Sequence, residues 1–228
     1  VNNIESINYS NFFNNSVIAS QILFDSSFKF SSLTEYRKLI TEKLSISSGN
    51  LVVPEQVHSN TVRWINKNGS YQNTDGIITD NNNLILSLQT ADCVPIFIFD
   101  QLNNIKALVH SGWRGTKNKI INNAINLMID RQSQPSNIFV LLGASIQKCC
   151  YEVGEELIDY FDDDCIYQYN NKIYLSLQEQ IRVDLLKLDI PLENIHVDHE
   201  CTFMNNKLSS YRRDKGESGK MISLLGHY

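Results

Sequence analysis

Apolar and polar positions divide the chain into short elements of two periods. Residues 16–24 and 51–57 have the apolar, β-branched character of strands, and the polar stretch 34–44 between them favours a helix. Residues 84–88 alternate around a polar Ser87. Residues 94–99 form a continuous apolar run suited to a buried strand, and 105–110 repeat the theme after an Asp-Gln-Leu-Asn-Asn turn. A helix is expected after Gly115, with Ile120, Ile121, Ala124, Leu127 and Met128 on one face and Asn118 as its N-cap. Residues 138–142 read as a further buried strand, and 153–161 and 177–188 as helices. The second of these opens with Ser176-Leu-Gln-Glu179, a capping-box pattern. Strands at 195–198 and 221–225 close the chain. Strands and helices interleave irregularly, so the expectation is an α+β fold: mixed β-sheets flanked by helices, in a single globular domain spanning residues 1–228.

At 228 residues the chain is long enough to bury a substantial core without disulfides. A net charge of −5 with no basic stripe argues against nucleic acid or an anionic membrane as the main partner. No stretch has the apolar length of a transmembrane helix, and the polar start lacks a signal-peptide pattern, so a cytoplasmic location is expected. The five cysteines, an odd count with one adjacent pair, do not resemble a secreted disulfide framework. Reduced thiols leave some of them free as ligands or nucleophiles. The glycine fingerprints of dinucleotide and P-loop sites are absent.

Three segments place a metal-capable residue at the end of an apolar strand: Pro54-Glu-Gln-Val-His58, Thr90-Ala-Asp-Cys93-Val-Pro95 and Ala107-Leu-Val-His110-Ser-Gly-Trp-Arg-Gly115. Strand ends present rigid side chains to a cleft. Two imidazoles and a thiolate suit zinc with one position left open, but their wide spacing favours satisfied core or surface histidines on this ground alone. Arg114 sits between glycines at a helix start, either to hold an anion or to brace the turn through a carboxylate. Cys149 and Cys150 enter a small-residue loop as reactive thiols or as packing. Ser210-Tyr-Arg-Arg-Asp-Lys-Gly216 reads as a solvated turn or, through Arg212 and Arg213, an anion clamp.

Taken in order, Gln56-Val-His58, Thr90-Ala-Asp-Cys93-Val-Pro95, His110-Ser-Gly-Trp-Arg-Gly115, Cys149-Cys150-Tyr-Glu-Val-Gly154 and Ser210-Tyr-Arg-Arg-Asp214 resemble the laccase-domain family, also called polyphenol-oxidase-like or multicopper-oxidase-like. The resemblance covers most of the chain from residue 51 onward. It implies His58, Cys93 and His110 as ligands of a catalytic zinc, with copper as a substitute. It also implies phosphorolysis of purine nucleosides (adenosine, inosine, guanosine, methylthioadenosine), accompanied by adenosine deamination, with purine nucleosides and phosphate as partners. Arg114 is the expected anion-binding catalytic residue. Asp92 either orients the site or faces away. Three other readings stand beside this one: a copper-dependent polyphenol oxidase, a metal-free Cys–His hydrolase with Cys93 as nucleophile, and a non-catalytic zinc-stabilised binding protein. The chain departs from the family pattern at two places: residues 14–25 lack the early Arg and paired glycines, and Gly143-Ala144 and Gln147-Lys148 replace Gly-Pro pairs. Both departures are expected to fall where loops shape the pocket.

Overall fold

The computed structural model describes residues 5–24, 32–215 and 219–227. Period-two patterning produces two six-stranded sheets among these residues. In spatial order the first contains Ser6–Asn8, Ile18–Ile22, Met221–Gly226, Ile85–Thr90, Leu51–Pro54 and Gly69–Tyr71. The second contains Ile195–Val197, Ile138–Leu142, Val94–Asp100, Ile105–Ser111, Gly76–Thr79 and Val62–Trp64. Both mix parallel and antiparallel neighbours, giving the α+β architecture with mixed sheets that the sequence implied.

Alternate side chains explain the layering. Phe97 and Phe99 face the first sheet and meet Leu86, Leu88 and Leu225, while Ile96 and Ile98 point the other way. There they pack beneath the helices Ile120–Ile129 and Leu177–Leu186. On the opposite side, Ile22, Ile85 and Leu224 pack against Tyr36 and Ile40 of the helix Leu33–Lys43. Each such side chain, fully buried, contributes roughly 1.5–3 kcal/mol. With both faces covered, all seven residues of Val94–Asp100 and all seven of Ile105–Ser111 are buried. The same packing changes the meaning of Ser87, which is buried between apolar neighbours and donates to the Val52 carbonyl at 2.9 Å. A buried hydroxyl without such a partner would be costly.

Several elements differ from the sequence reading. The strand expected over 51–57 stops at Pro54. Beyond it, the Gln56 side chain takes over the pairing, donating to the Gln89 carbonyl at 2.8 Å and accepting from the Gln89 N–H at 2.9 Å. Asn118 is not an N-cap. It ends a short helix, Trp113–Lys117, and the left-handed residue Lys119 (φ 56°) separates that helix from Ile120–Ile129. The helix expected over 153–161 is instead the two-residue strand Glu152–Val153 followed by a 3₁₀ turn, Glu155–Tyr160. Leu157 and Phe161 are buried at an i, i+4 spacing that imitates a helix face. Glu152–Val153 joins Lys172–Leu175 and Ile166–Tyr169 in a small third sheet. Residue 25 of the early segment lies outside the described residues. No helix among the described residues is long and apolar enough to cross a membrane.

Ser176 caps Leu177–Leu186, its side chain accepting from the Glu179 N–H at 3.2 Å, but the reciprocal half of the capping box is not made: the Ser176 N–H donates to the Cys165 carbonyl at 2.9 Å and the Glu179 carboxylate pairs with Arg182. Ser176→Ala is expected to lower unfolding stability by about 1 kcal/mol, read as a reduced urea midpoint with an unchanged denaturant slope.

Candidate metal centre

Cys93 follows the strand Ile85–Thr90 of the first sheet and precedes Val94–Asp100 of the second, where the chain crosses between sheets. The antiparallel register pairs Pro95 with His110 and Val94 with Ser111, which brings His110 beside Cys93 at the open end of that hairpin. His58 arrives from the turn after Leu51–Pro54. The donor atoms of His58, Cys93 and His110 all lie within 4.8 Å of one another, and the two imidazoles meet edge-on with ring centroids 4.8 Å apart. The backbone passes so close that a Cβ on Gly112 would sit 2.8 Å from the Cys93 sulfur and 3.3 Å from His58 Cδ2. Only glycine fits there without displacing a donor.

Asp75 holds this arrangement. Its fully buried carboxylate accepts from the backbone N–H groups of Val57, His58 and Ser59 at 3.3, 3.0 and 2.7 Å, and from the Ser59 hydroxyl at 2.7 Å. The same carboxylate lies 2.8 Å from His110 Nδ1. With Nδ1–H donating to Asp75, Nε2 is the ring atom left to face Cys93. His58 itself has φ 60°, a left-handed conformation that the ring of N–H groups around the carboxylate stabilises.

Burial alone would raise the Asp75 carboxyl, but hydrogen bonds from His110 and Ser59 outweigh it and hold the pKa at about 2. Burial likewise disfavours the Cys93 thiolate, and His110 and His58 overcome it, bringing the thiol down to about 6. For His110, burial acts downward, and Cys93 and Asp75 lift it to about 9. At neutral pH the metal-free pair is therefore a thiolate beside an imidazolium, and the proton on the ring occupies the place a cation would take.

His58 and Cys93 lie in the wall of a cleft of about 450 Å³ that also includes Trp113, Arg114, Ile146, Tyr151, Leu177, Tyr211, Arg212 and Lys220, while His110 is buried behind them. Arg114 is exposed, with its guanidinium 4.2 Å from the centre of the Trp113 ring. It has no carboxylate in ion-pair range among the described residues, so the turn is not braced through it. Arg212 reaches the Glu152 carbonyl at 2.8 Å and lies over the Tyr151 ring. Arg213 points away, donating to the carbonyls of Thr202, Phe203, Asn205 and Leu208, and is a brace rather than an anion clamp. Asp92 orients: its carboxylate accepts from the Thr202 hydroxyl at 2.6 Å and the Arg212 N–H at 2.7 Å, tying both late segments to the neighbour of Cys93. Its own φ of 82° is held by those two bonds.

Asp75, Lys220 and the cleft-lining roles of Tyr151 and Tyr211 were not singled out from sequence. The signal available for Asp75 was an Asp-Gly pair immediately before the short apolar strand Gly76–Thr79. His196, His199 and His227 belong to no donor group among the described residues. The two departures from the family pattern touch each other: Gln21 Nε2 donates to the Ala144 carbonyl at 3.1 Å. Neither Gln21 nor Ala144 lines the cleft, but the second segment contributes Ile146 to its wall.

A two-sheet α+β protein with a His–Cys–His donor set at the sheet ends defines the structural class. The model of the multi-copper polyphenol oxidoreductase laccase family matches residues 29–227, and the chain belongs to that family. The chain is 33% identical over 180 residues to a purine nucleoside phosphorylase of Clostridium acetobutylicum, covering 75% of this chain and 74% of that protein. It is 30% identical over 210 residues to purine nucleoside phosphorylase YlmD of Geobacillus stearothermophilus, covering 83% and 77%. Among solved structures, the Bacillus licheniformis hypothetical protein YfiH superposes with a TM-score of 0.91 at 25% identity, over 100% of this chain and 98% of that one. The structure of YlmD from Geobacillus stearothermophilus gives 0.87 at 26% identity, over 93% and 92%.

The electrostatics give a direct expectation for the metal-free protein. Peptide-resolved alkylation of Cys93 by iodoacetamide should rise with pH around a midpoint of about 6, rather than near the ordinary thiol value of 9. Asp75→Asn, which removes the charge supporting His110, should move that midpoint upward. A midpoint near 9 in the unsubstituted protein would contradict the thiolate–imidazolium pair.

Proposed function

We propose that the protein is a zinc-dependent purine nucleoside phosphorylase acting on adenosine, inosine, guanosine or methylthioadenosine, with adenosine deamination as an accompanying activity. The observation that carries this reading is a three-donor group that opens, through His58 and Cys93, onto the cleft lined by Arg114, a cation committed to no carboxylate among the described residues. The relatives named as purine nucleoside phosphorylases support it.

His58, Cys93 and His110 would hold the metal. One thiolate and two imidazoles suit zinc, and with three protein donors among the described residues a fourth position would be left for substrate or water. When bound, zinc supplies Lewis-acid compensation for charge on an oxygen, or activates water for deamination. Asp75 keeps the His110 proton on Nδ1 and so keeps Nε2 available. Phosphate carries nearly two negative charges and must exchange water for cationic partners on entering a cleft. Arg114, Arg212 and Lys220 are the cations lining this one, in a chain whose residues 14–25 carry no Arg. Trp113, Tyr151, Ile146 and Leu177 offer aromatic and apolar walls to a purine.

The family's descriptive name points instead to multicopper oxidation. That chemistry needs several centres built from many histidines. This chain has five, and three of them stand outside every donor group among the described residues. A metal-free Cys–His hydrolase would use the same Cys93 thiolate, and metal dependence separates the two.

Elemental analysis of protein purified without added metal should find zinc, and Cys93→Ser should lose most of it while remaining folded. Adenosine or inosine should be consumed with phosphate to give free base and ribose 1-phosphate, with adenosine also yielding inosine. Phenol oxidation in the absence of any nucleoside turnover would refute the assignment.

Arg114→Ala should lower phosphorolysis by the roughly 2–4 kcal/mol of a lost charge-stabilising group, about 30- to 1000-fold, and deamination by much less. Equal losses of the two rates, or none, would remove Arg114 from the phosphate site.

A further inference from the structure

A second group of soft donors shares no residue with the first centre: the sulfur atoms of Cys149, Cys150 and Cys201 all lie within 4.8 Å of one another. Cys149 Sγ is 3.2 Å from Cys150 Sγ and 3.8 Å from Cys201 Sγ. None is in a disulfide. Fifty residues of sequence separate the adjacent pair from Cys201, and the fold closes that gap with backbone bonds. Ser145 bridges Cys201 as an isolated parallel pair, donating to the Glu200 carbonyl at 3.3 Å and accepting from Thr202 at 3.1 Å. On the other side, a turn in which Cys150 and Tyr151 both donate to the Gln147 carbonyl at 2.9 Å brings the two neighbouring thiols to one point.

We propose that Cys149, Cys150 and Cys201 form a second metal site, a sulfur-only site that takes monovalent copper. Donor chemistry selects the ion. Thiolate-only sets favour soft Cu(I), whereas structural zinc is almost always held by four protein ligands and this group offers three. Sulfurs 3.2–3.8 Å apart lie well beyond the bond length of a disulfide, and adjacent cysteines rarely pair with each other, so the cluster is arranged around a point rather than along a bond. Exposure of Cys149 leaves an entry path, while Cys201 is buried and anchors the site. Binding involves no redox step: copper enters as Cu(I), and each thiol that coordinates it gives its proton to solvent.

The test removes the first centre and reads the second alone. Cys93→Ser protein, reduced and kept under nitrogen, is titrated with Cu(I) supplied as its bicinchoninate complex. It should withdraw one Cu(I) per chain, and X-ray absorption should find sulfur as the only neighbour of that copper. Replacing Cys201 can disturb the fold because it is buried, so the deciding variant is Cys93→Ser/Cys149→Ser, altered only at an exposed thiol. It should hold Cu(I) at least tenfold more weakly, with an unchanged circular dichroism spectrum. Failure of Cys93→Ser protein to take Cu(I) from the competitor overturns the proposal. So does nitrogen in its copper shell, a preference for zinc over Cu(I), or undiminished affinity in the double variant. None of these readouts depends on nucleoside turnover or on which metal fills the first centre.

Discussion

The carboxylate of Asp75 is the constraint on which the centre depends. It is fully buried, and a buried charge is tolerable only when its lone pairs are occupied. They are occupied by three successive backbone N–H groups of the His58 turn and by the His110 ring. A single anion thus fixes the backbone of one donor residue and the tautomer of another. The left-handed conformation of His58 is the local cost, of order 1 kcal/mol or more, and the satisfied charge offsets it.

The third donor is placed by topology. Cys93 occupies the short passage between a strand of one sheet and a strand of the other. Its position is therefore set by the packing of both sheets, through Leu86 and Leu88 on one side and Phe97 and Phe99 on the other. Rigid strands on either side make the donor spacing a property of the core rather than of a loop. Asp92 extends this control outward. Its bonds to Thr202 and Arg212 connect the donor region to the segments that carry Arg212 and Tyr211 into the cleft. The cleft then combines two residues of the His–Cys–His group, a cationic rim and an aromatic wall within one volume.

The two cysteine-bearing groups illustrate how environment divides residues of one type. Cys93, beside two imidazoles and a buried carboxylate, is held as a thiolate. Cys150, with only other thiols near it, is pushed upward by burial and by those neighbours. Cys165, buried in the apolar layer under the helices, is pushed up to about 12 and acts as a small apolar side chain.

Much of the fold was legible locally. The apolar run 94–99, the N-cap at Ser176 and the helix-favouring stretch 34–44 each follow from residue type, side-chain period or a single hydrogen bond, and a strand, a capped helix and a helix stand there. The hairpin Ile166–Tyr169 and Lys172–Leu175 was also within reach, since its Asn170-Asn171 turn, with both φ values positive, is a recognisable signal that went unread. The helix expected over 153–161 failed because an i, i+4 apolar pair does not distinguish a helix from a turn pinned beneath a sheet. Likewise His58, Cys93, His110 and Arg114 were visible as motifs, but nothing in their spacing places them at one point. That convergence required the register of Val94–Asp100 against Ile105–Ser111 and the long-range bonds of Asp75, a residue whose role no local pattern announces. By itself, the sequence determined which residue types capable of chemistry the chain carries and which segments alternate as strands, because period and residue type are local. Only the tertiary structure decided which of those residues meet, because the packing of two sheets and the neutralisation of one buried charge are properties of the whole chain.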